Sequence, residues 1–371
     1  FRLNDSDRQA ELLAEEVDLV RHPGVTERCF LVRQTTFETI DGAPMPYWAG
    51  QSILNRLTVL PQLYPDYADV RLGVVTGDND QFLRLRWEVA PDRIDPATGW
   101  ASYAKGGDYS KYFGDIHLLI DWRGDGEHIK LTFGSAVRLR ELNQYLRPGL
   151  TYPLVTVKGM NVRVLPRDCI FDNGSPALFH PDEENLRTIL GVLNSRLVEL
   201  YIRCFTSSRH WQVGYVRKIP WPNRQIESQK STISSVAAQL IRIPRRILQG
   251  SEPSAEFLLP GLLLFGKDVR SLEAGIAVGS QTIKLKRARF RELEQVIDSV
   301  AAQSFEFSSE DWSIVEKEVP PIDESRDQFA AFDMEADGLV SGMMSWMLGV
   351  PVGRWDVRFA TGDKTLPEQD G

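Results

Sequence analysis

The chain has 371 residues and a formal net charge of −8, with 42% hydrophobic and 25% charged residues. That composition fits a globular protein of two or three domains; it excludes a disordered chain, a wholly basic nucleic-acid coat and, with no apolar run of spanning length, a membrane helix. Three widely spaced cysteines, Cys29, Cys169 and Cys204, give neither a disulfide framework nor a zinc knuckle and point to a reducing cytoplasm.

The first residue is Phe1, and no leader pattern follows it. Phe1 to Val20 carries Leu12, Leu13, Glu16 and Val20 at helical spacing and reads as the continuation of a helix. The closing TGDKTLPEQDG reads as a polar linker, so the chain is expected to be a piece of something longer. Arg28 to Gly50 reads as short strands and turns, with Asp41-Gly42 as a hairpin signal. Val70 to Val75 is a predicted strand, and Thr76-Gly77-Asp78-Asn79-Asp80 a tight turn into a helix over Gln81 to Val89. Ile116 to Trp122 and Glu127 to Lys130 read as paired strands around Gly124-Asp125-Gly126, and Leu139 to Tyr145 as a short helix. Tyr152 to Val157 and Val162 to Leu165 read as strands around Lys158-Gly159-Met160-Asn161. Glu183 to Cys204 is predicted as one long helix, with Leu186, Leu190, Leu193, Leu197 and Leu200 on one face. A short strand closed by Pro220 and Pro222 should follow it.

Beyond Pro222 the texture turns helical, over Ser228 to Gly250 and Arg287 to Gln303, with an acidic connector at Ser308 to Arg326 and a last helix at Asp333 to Leu348. Arg354 and Asp356 fall on one side of an extended segment, which suggests a local ion pair. The predicted fold class is α+β: a mixed α/β domain over residues 28–225, then a mainly helical region over 226–371, with 1–27 as a helical connector.

The most informative stretch is Leu186 to Pro222. From Leu200 to Arg224 it carries Arg203, Arg209, Arg217, Lys218 and Arg224 and no Asp or Glu, so a polyanion could sit there despite the acidic total. Within it, Ser207, Ser208, Arg209, His210, Trp211 and Gln212 combine phosphate-binding hydroxyls with side chains able to read guanine and adenine edges. The plainer reading is a helix-to-strand loop with Trp211 anchored in the core. Lys105-Gly106-Gly107-Asp108-Tyr109-Ser110-Lys111-Tyr112 is a second candidate. Its glycines let backbone N–H groups approach an anion, its lysines neutralise phosphate and its tyrosines stack on bases. Here the plainer reading is a glycine turn with one aromatic in the core. Lys284 to Arg291 is the densest basic cluster, but Glu292 and Glu294 follow at once, as on a solvated helix face.

Catalytic chemistry is nearly absent. The five histidines show no metal-ligand spacing. Asp121, Glu127 and Lys130 faintly suggest a nuclease set at the wrong spacing, and Thr76 to Asn79 reads better as a structural turn than as a phosphate loop.

Taken together, Gly73 to Val89 (GVVTGDNDQFLRLRWEV), Tyr103 to Gly126 (YAKGGDYSKYFGDIHLLIDWRGDG), the Leu186 to Pro222 block and Val352 to Arg358 (VGRWDVR) resemble one family. It is that of the PglX-like adenine-specific DNA methyltransferases of bacterial phage-exclusion systems (BREX and DISARM), with related fused restriction–modification enzymes. The resemblance runs in order over roughly residues 25 to 360. It implies a domain, upstream of the region covered here, that binds S-adenosylmethionine and methylates N6 of a flipped adenine. Neither the family's Asn/Asp-Pro-Pro-Tyr/Phe tetrapeptide nor its glycine-rich cofactor turn occurs in this sequence. The resemblance therefore implies a target-recognition domain over 28–225 and a helical C-terminal region, with no catalytic, cofactor or metal residue in this chain. Its expected partners are double-stranded DNA, the missing catalytic domain and other defence-system subunits, with no membrane. The expected DNA contacts are the Lys105–Tyr112 and Ser207–Gln212 loops, with Lys158 and Arg217 on phosphate. A protein-docking module is the alternative.

Overall fold

In a computed structural model, described over residues 8–21, 29–30, 32–42, 44–134, 138–206, 209–266, 271–319, 327–329 and 335–366, two small sheets sit against a set of packed helices. The chain begins with α1 (Gln9–Arg21), α2 (Thr35–Glu38) and α3 (Gln51–Val59), then β1 (Asp69–Arg71), α4 (Asn79–Phe82), β2 (Leu83–Leu85), β3 (Trp100–Ala104), β4 (Leu118–Asp121) and α5 (Glu127–Phe133). There follow β5 (Gly149–Thr151), β6 (Arg163–Leu165), β7 (Cys169–Phe171), β8 (Ala177–Phe179), α6 (Glu183–Leu193), α7 (Arg196–Phe205) and α8 (Val213–Arg217). The rest is helical: α9 (Asn223–Leu248), α10 (Gly261–Phe265), α11 (Leu272–Ser304), α12 (Ser309–Glu318), α13 (Ala336–Gly349) and α14 (Arg358–Thr361).

One sheet has the order β1-β8-β5-β6 and is antiparallel throughout; the other runs β2-β4-β3-β7, with β3 and β7 parallel. Residues in β5, β7 and β8 are buried at every position, as expected of strands covered on both faces. A cluster including Tyr103, Trp122, Tyr145, Phe171 and Phe179 fills the space around the second sheet. The larger core runs from Phe37 through Leu190, Trp211 and Trp221 to Ile243, Phe290 and Trp346. It holds residues from both sides of position 225. Helix α6 lies against α9 so closely that a methyl group on Gly191 would come within 2.7 Å of Ile233 Cγ2.

The α+β class stands, and several predicted elements change form. The helix expected over Glu183 to Cys204 breaks at Asn194-Ser195. Asn194 Oδ1 accepts from Val162 N at 2.9 Å and its Nδ2 donates to Val162 O at 2.8 Å, while the Ser195 hydroxyl accepts from Val198 N and starts α7. The strand expected over Glu127 to Lys130 is the helix α5, entered through Gly126 in a left-handed conformation. The strand expected before Pro220 is the short helix α8, and the strand expected at Tyr152 lies earlier, as β5. The helix predicted over Gln81 to Val89 is reduced to the end of α4 and a 3-10 turn at Arg86–Glu88, with β2 between them. The acidic connector contains α12, closed by a capping box between Ser308 and Asp311. Arg354 pairs with Glu252 and Asp356 with Arg358, so the expected Arg354–Asp356 pair does not form.

Candidate nucleic-acid interface

Two segments far apart in sequence meet at one edge of the molecule. The stretch after β5 and the loop after α7 are joined by an antiparallel bridge between Val155 and His210. Thr156 N donates to Arg209 O at 3.0 Å, and Trp211 N donates to Leu154 O at 2.7 Å. The outward side chains of this paired edge are Val155, Val157, Lys158, Arg209, His210 and Gln212, all exposed. No Asp or Glu occurs in 154–158 or 206–212. Below the edge, Trp211 is buried in the main core, and Leu154 N donates to Gly174 O at 2.8 Å. Gly159 turns the chain at φ +92° against Glu199, whose carboxylate is held by Arg203 at 2.7 Å. The edge is thus held by one β-bridge and its flanking backbone bonds over a packed base, which limits the entropy lost when its side chains are ordered on a ligand.

The glycine loop 105–112 sits beside it. The Gly106 amide donates to the Ser175 hydroxyl, next to the Gly174 carbonyl that holds Leu154, and Ser110 N donates to Asn161 Oδ1 at 3.4 Å. The loop wraps around Arg163, whose guanidinium donates to Gly106 O and, at 3.1 Å, to Asp108 O. Burial pulls the Arg163 pKa down to about 10, so the side chain remains a cation at neutral pH. Lys105 is half-buried and Gly107 exposed; both line a cavity of about 350 Å³ whose far wall includes Pro244 and Leu248 of α9.

Three expected contacts of this loop turn inward. Lys111 is only 5% exposed; its ammonium donates to Asn194 O at 2.9 Å and lies 3.3 Å from Glu294 Oε1 of α11. Burial alone would lower its pKa, but the fields of Tyr109, Glu294, Asp298 and Glu199 outweigh it and hold it above the ordinary lysine value. Tyr112 is fully buried, edge-on to Phe290 at 5.7 Å, and Tyr109 is buried as well. Arg217 is also turned inward: Nη2 donates to Val70 O at 2.5 Å and the guanidinium lies 4.3 Å over the Tyr64 ring. Lys111, Tyr112 and Trp211 are thus buried in the fold, Arg217 is half-buried with its guanidinium on Val70 and Tyr64, and Tyr109, though buried, lines the cavity of about 350 Å³. Ser207 and Ser208 lie outside the described residues. Of the expected contacts, Lys158, Arg209, His210 and Gln212 share the exposed edge.

Sequence reasoning missed Val155 and Val157 on that edge, because apolar residues in a predicted strand are read as core. It also missed Arg163, the support of the glycine loop, whose only sequence signal is an arginine inside an apolar strand.

The other motifs are accounted for locally. In the Thr76–Asn79 turn, Thr76 Oγ1 donates to Asn79 Oδ1 at 2.8 Å and Asp78 Oδ1 accepts from Gln81 N at 3.2 Å, so the polar groups serve the turn itself. A methyl on Gly73 would lie 1.9 Å from Phe171 O, so that glycine serves the close approach of two backbone segments. Asp121 binds Arg123 at 2.5 Å and His128 at 3.1 Å; burial raises its pKa, and the Arg123 bonds more than reverse this. Among the described residues, no group of three or more His, Cys, Asp or Glu side chains is arranged to hold a metal. No described helix is long and apolar enough to cross a membrane.

The chain is homologous over part of its length to adenine-specific methyltransferases. It is 26% identical over 252 residues to the adenine-specific methyltransferase PglX of Lacticaseibacillus casei (strain Zhang), covering 63% of this chain and 21% of that protein. It is 30% identical over 194 residues to the adenine-specific methyltransferase BrxX of Escherichia coli O9:H4 (strain HS), covering 50% of this chain and 16% of that protein. The chain thus spans about a fifth or less of the length of these curated relatives. Among solved structures it is similar to the type IIL restriction–modification enzyme MmeI in complex with DNA, at TM-score 0.43 and 13% identity, over 69% of this chain and 36% of that one. No family model matches the chain.

Proposed function

We propose that this chain is the sequence-specific double-stranded DNA recognition region of an N6-adenine DNA methyltransferase in a bacterial anti-phage or restriction–modification system. The observation that carries this reading is the acid-free edge, where Lys158, Arg209, His210 and Gln212 stand together on a rigid base. Lys158 supplies a point charge for phosphate, while Arg209 and Gln212 have the forked donors and the amide that read guanine and adenine edges. Flipping a base costs a few kcal/mol and needs a clamp on the duplex, which such an edge supplies. Homology to adenine-specific methyltransferases supports the reaction class. On this reading S-adenosylmethionine binding and methyl transfer belong to an upstream catalytic domain, and this chain positions the duplex in the cytoplasm.

A second reading is a protein-docking module for other subunits of a defence complex. It is favoured by one observation, the exposed apolar residues Met344, Met347, Leu348 and Val352 at the end of α13. Anisotropy titration with labelled random duplexes at low and moderate salt separates the two. Recognition requires binding that weakens steeply with salt and leaves a sequence-selected component. Salt-insensitive partner binding with no DNA affinity at low salt would replace it with docking.

A further inference from the structure

Val155 and Val157 alternate along the paired edge and are 54% and 66% exposed, although β-branched apolar side chains ordinarily fill a sheet core. Each stands among cations and amides, with Lys158 following directly and Arg209, His210 and Gln212 on the partner segment. A protein-docking surface would not ordinarily place isolated valines in an acid-free cationic rim, whereas a nucleic-acid groove presents phosphates outside and apolar groups within. In duplex DNA the apolar group presented in the major groove is the thymine 5-methyl. Valine also has few rotamers to lose, so methyl contact costs little ordering.

Resting on the DNA-recognition reading above, we propose that Val155 and Val157 read thymine methyl groups in the major groove while Lys158 and Arg209 hold the flanking phosphates and base edges. The target site then contains thymine at positions opposite this edge, and its recognition depends on the methyl itself rather than on hydrogen bonds alone.

The test uses two random-sequence duplex pools of the same design, one made with thymidine and one with deoxyuridine, which differ only in that methyl. Sites are selected on this chain from the thymidine pool and remeasured in both forms. Each buried methyl contributes about a fourfold gain in affinity, so the selected site should lose about that much for each contacted thymine replaced by uracil. Val157→Ala and Val155→Ala should each lower affinity for the thymidine form and reduce its preference over the uracil form, and Val155→Asn with Val157→Asn should abolish that preference. Circular dichroism should show the variants folded, as expected at exposed positions, and Val157→Thr, which keeps one methyl, should retain part of the preference. Sequence-selective binding with no difference between thymine and uracil, or variants that keep the preference, would overturn the methyl reading and leave DNA recognition standing. Absence of any salt-dependent duplex binding would overturn both.

Discussion

The ammonium of Lys111 lies 3.3 Å from Glu294 Oε1, joining the glycine loop of the sheet region to the middle of α11. Both side chains are buried, and Asp298, on the same helix, accepts from Arg196 N at 2.9 Å. Burial raises the pKa of Glu294 above 4.5, and Lys111 opposes the rise. Removing one member of such a pair strands the other charge in a low-dielectric interior, which typically costs ~3–5 kcal/mol. Lys111→Met should therefore lower the unfolding free energy obtained from urea curves by an amount of that order, and Lys111→Met with Glu294→Leu should recover much of the loss. The pH sign follows from the direction of the shift. A carboxyl whose folded pKa lies above its unfolded value loses stability as pH rises through that interval, and losing Lys111 widens the interval. The deficit of Lys111→Met should be largest near neutral pH and shrink as the pH falls towards 4.5. Unfolding curves across that range check it; a pH-independent deficit would show that Glu294 is not the group left behind.

Gly159 and Gly106 both have positive φ, +92° and +46°, but their surroundings differ. A methyl on Gly159 would meet Glu199 Oε2 at 2.3 Å, whereas one on Gly106 would meet nothing within 4 Å. Gly106→Ala should cost only the backbone penalty of roughly 1 kcal/mol. Gly159→Ala should cost more, because it must displace a buried carboxylate already tied to Arg203. It should also shift the 154–158 segment and weaken DNA binding more than Gly106→Ala does. Thermal melts and anisotropy on the two variants test the contrast.

Trp211 illustrates how an aromatic in a candidate recognition loop can be a structural anchor. It is buried in the main core while its neighbours Arg209, His210 and Gln212 are exposed. Trp211→Ala should cost ~3–5 kcal/mol through cavity formation and lost burial. Trp211→Phe should retain most of the stability and leave duplex affinity unchanged. A strong loss of affinity in a stable Trp211→Phe protein would instead place the indole against a base.

The same residues show how far the sequence could be read. The apolar stripe from Leu186 to Leu200 announces helix correctly, yet it continues across a real break. The break is made by a tertiary demand, Asn194 satisfying the Val162 backbone, which periodicity cannot register. Arg209 and Gln212 are legible as exposed polar groups because each is a long polar side chain in a turn-rich segment, although Trp211 and Val213 beside them are buried. Lys111 was not, since a lysine is normally solvated and its buried partner lies on a helix much later in the sequence. The short Glu127–Lys130 segment is ambiguous by pattern alone, and the left-handed Gly126 before it is what the structure uses to enter a helix.

Lys158 and Arg209 stand on the same edge but should fail differently. Lys158 is an exposed ammonium without the planar fork of a base reader, so Lys158→Ala should reduce affinity for all duplexes alike. The plot of log affinity against log salt should flatten by about 0.9, the counterion released per phosphate contact in duplex DNA. Arg209→Ala should instead cost ~1–3 kcal/mol of discrimination between selected and unselected duplexes, because a bidentate base contact is lost. Lys111→Met should leave the salt slope unchanged wherever the protein remains folded, since its charge is spent on Glu294. Titrations of the three variants at several salt concentrations separate these outcomes. Equal slopes for wild type and Lys158→Ala would remove that lysine from the phosphate path, and undiminished discrimination in Arg209→Ala would move base reading to another part of the edge.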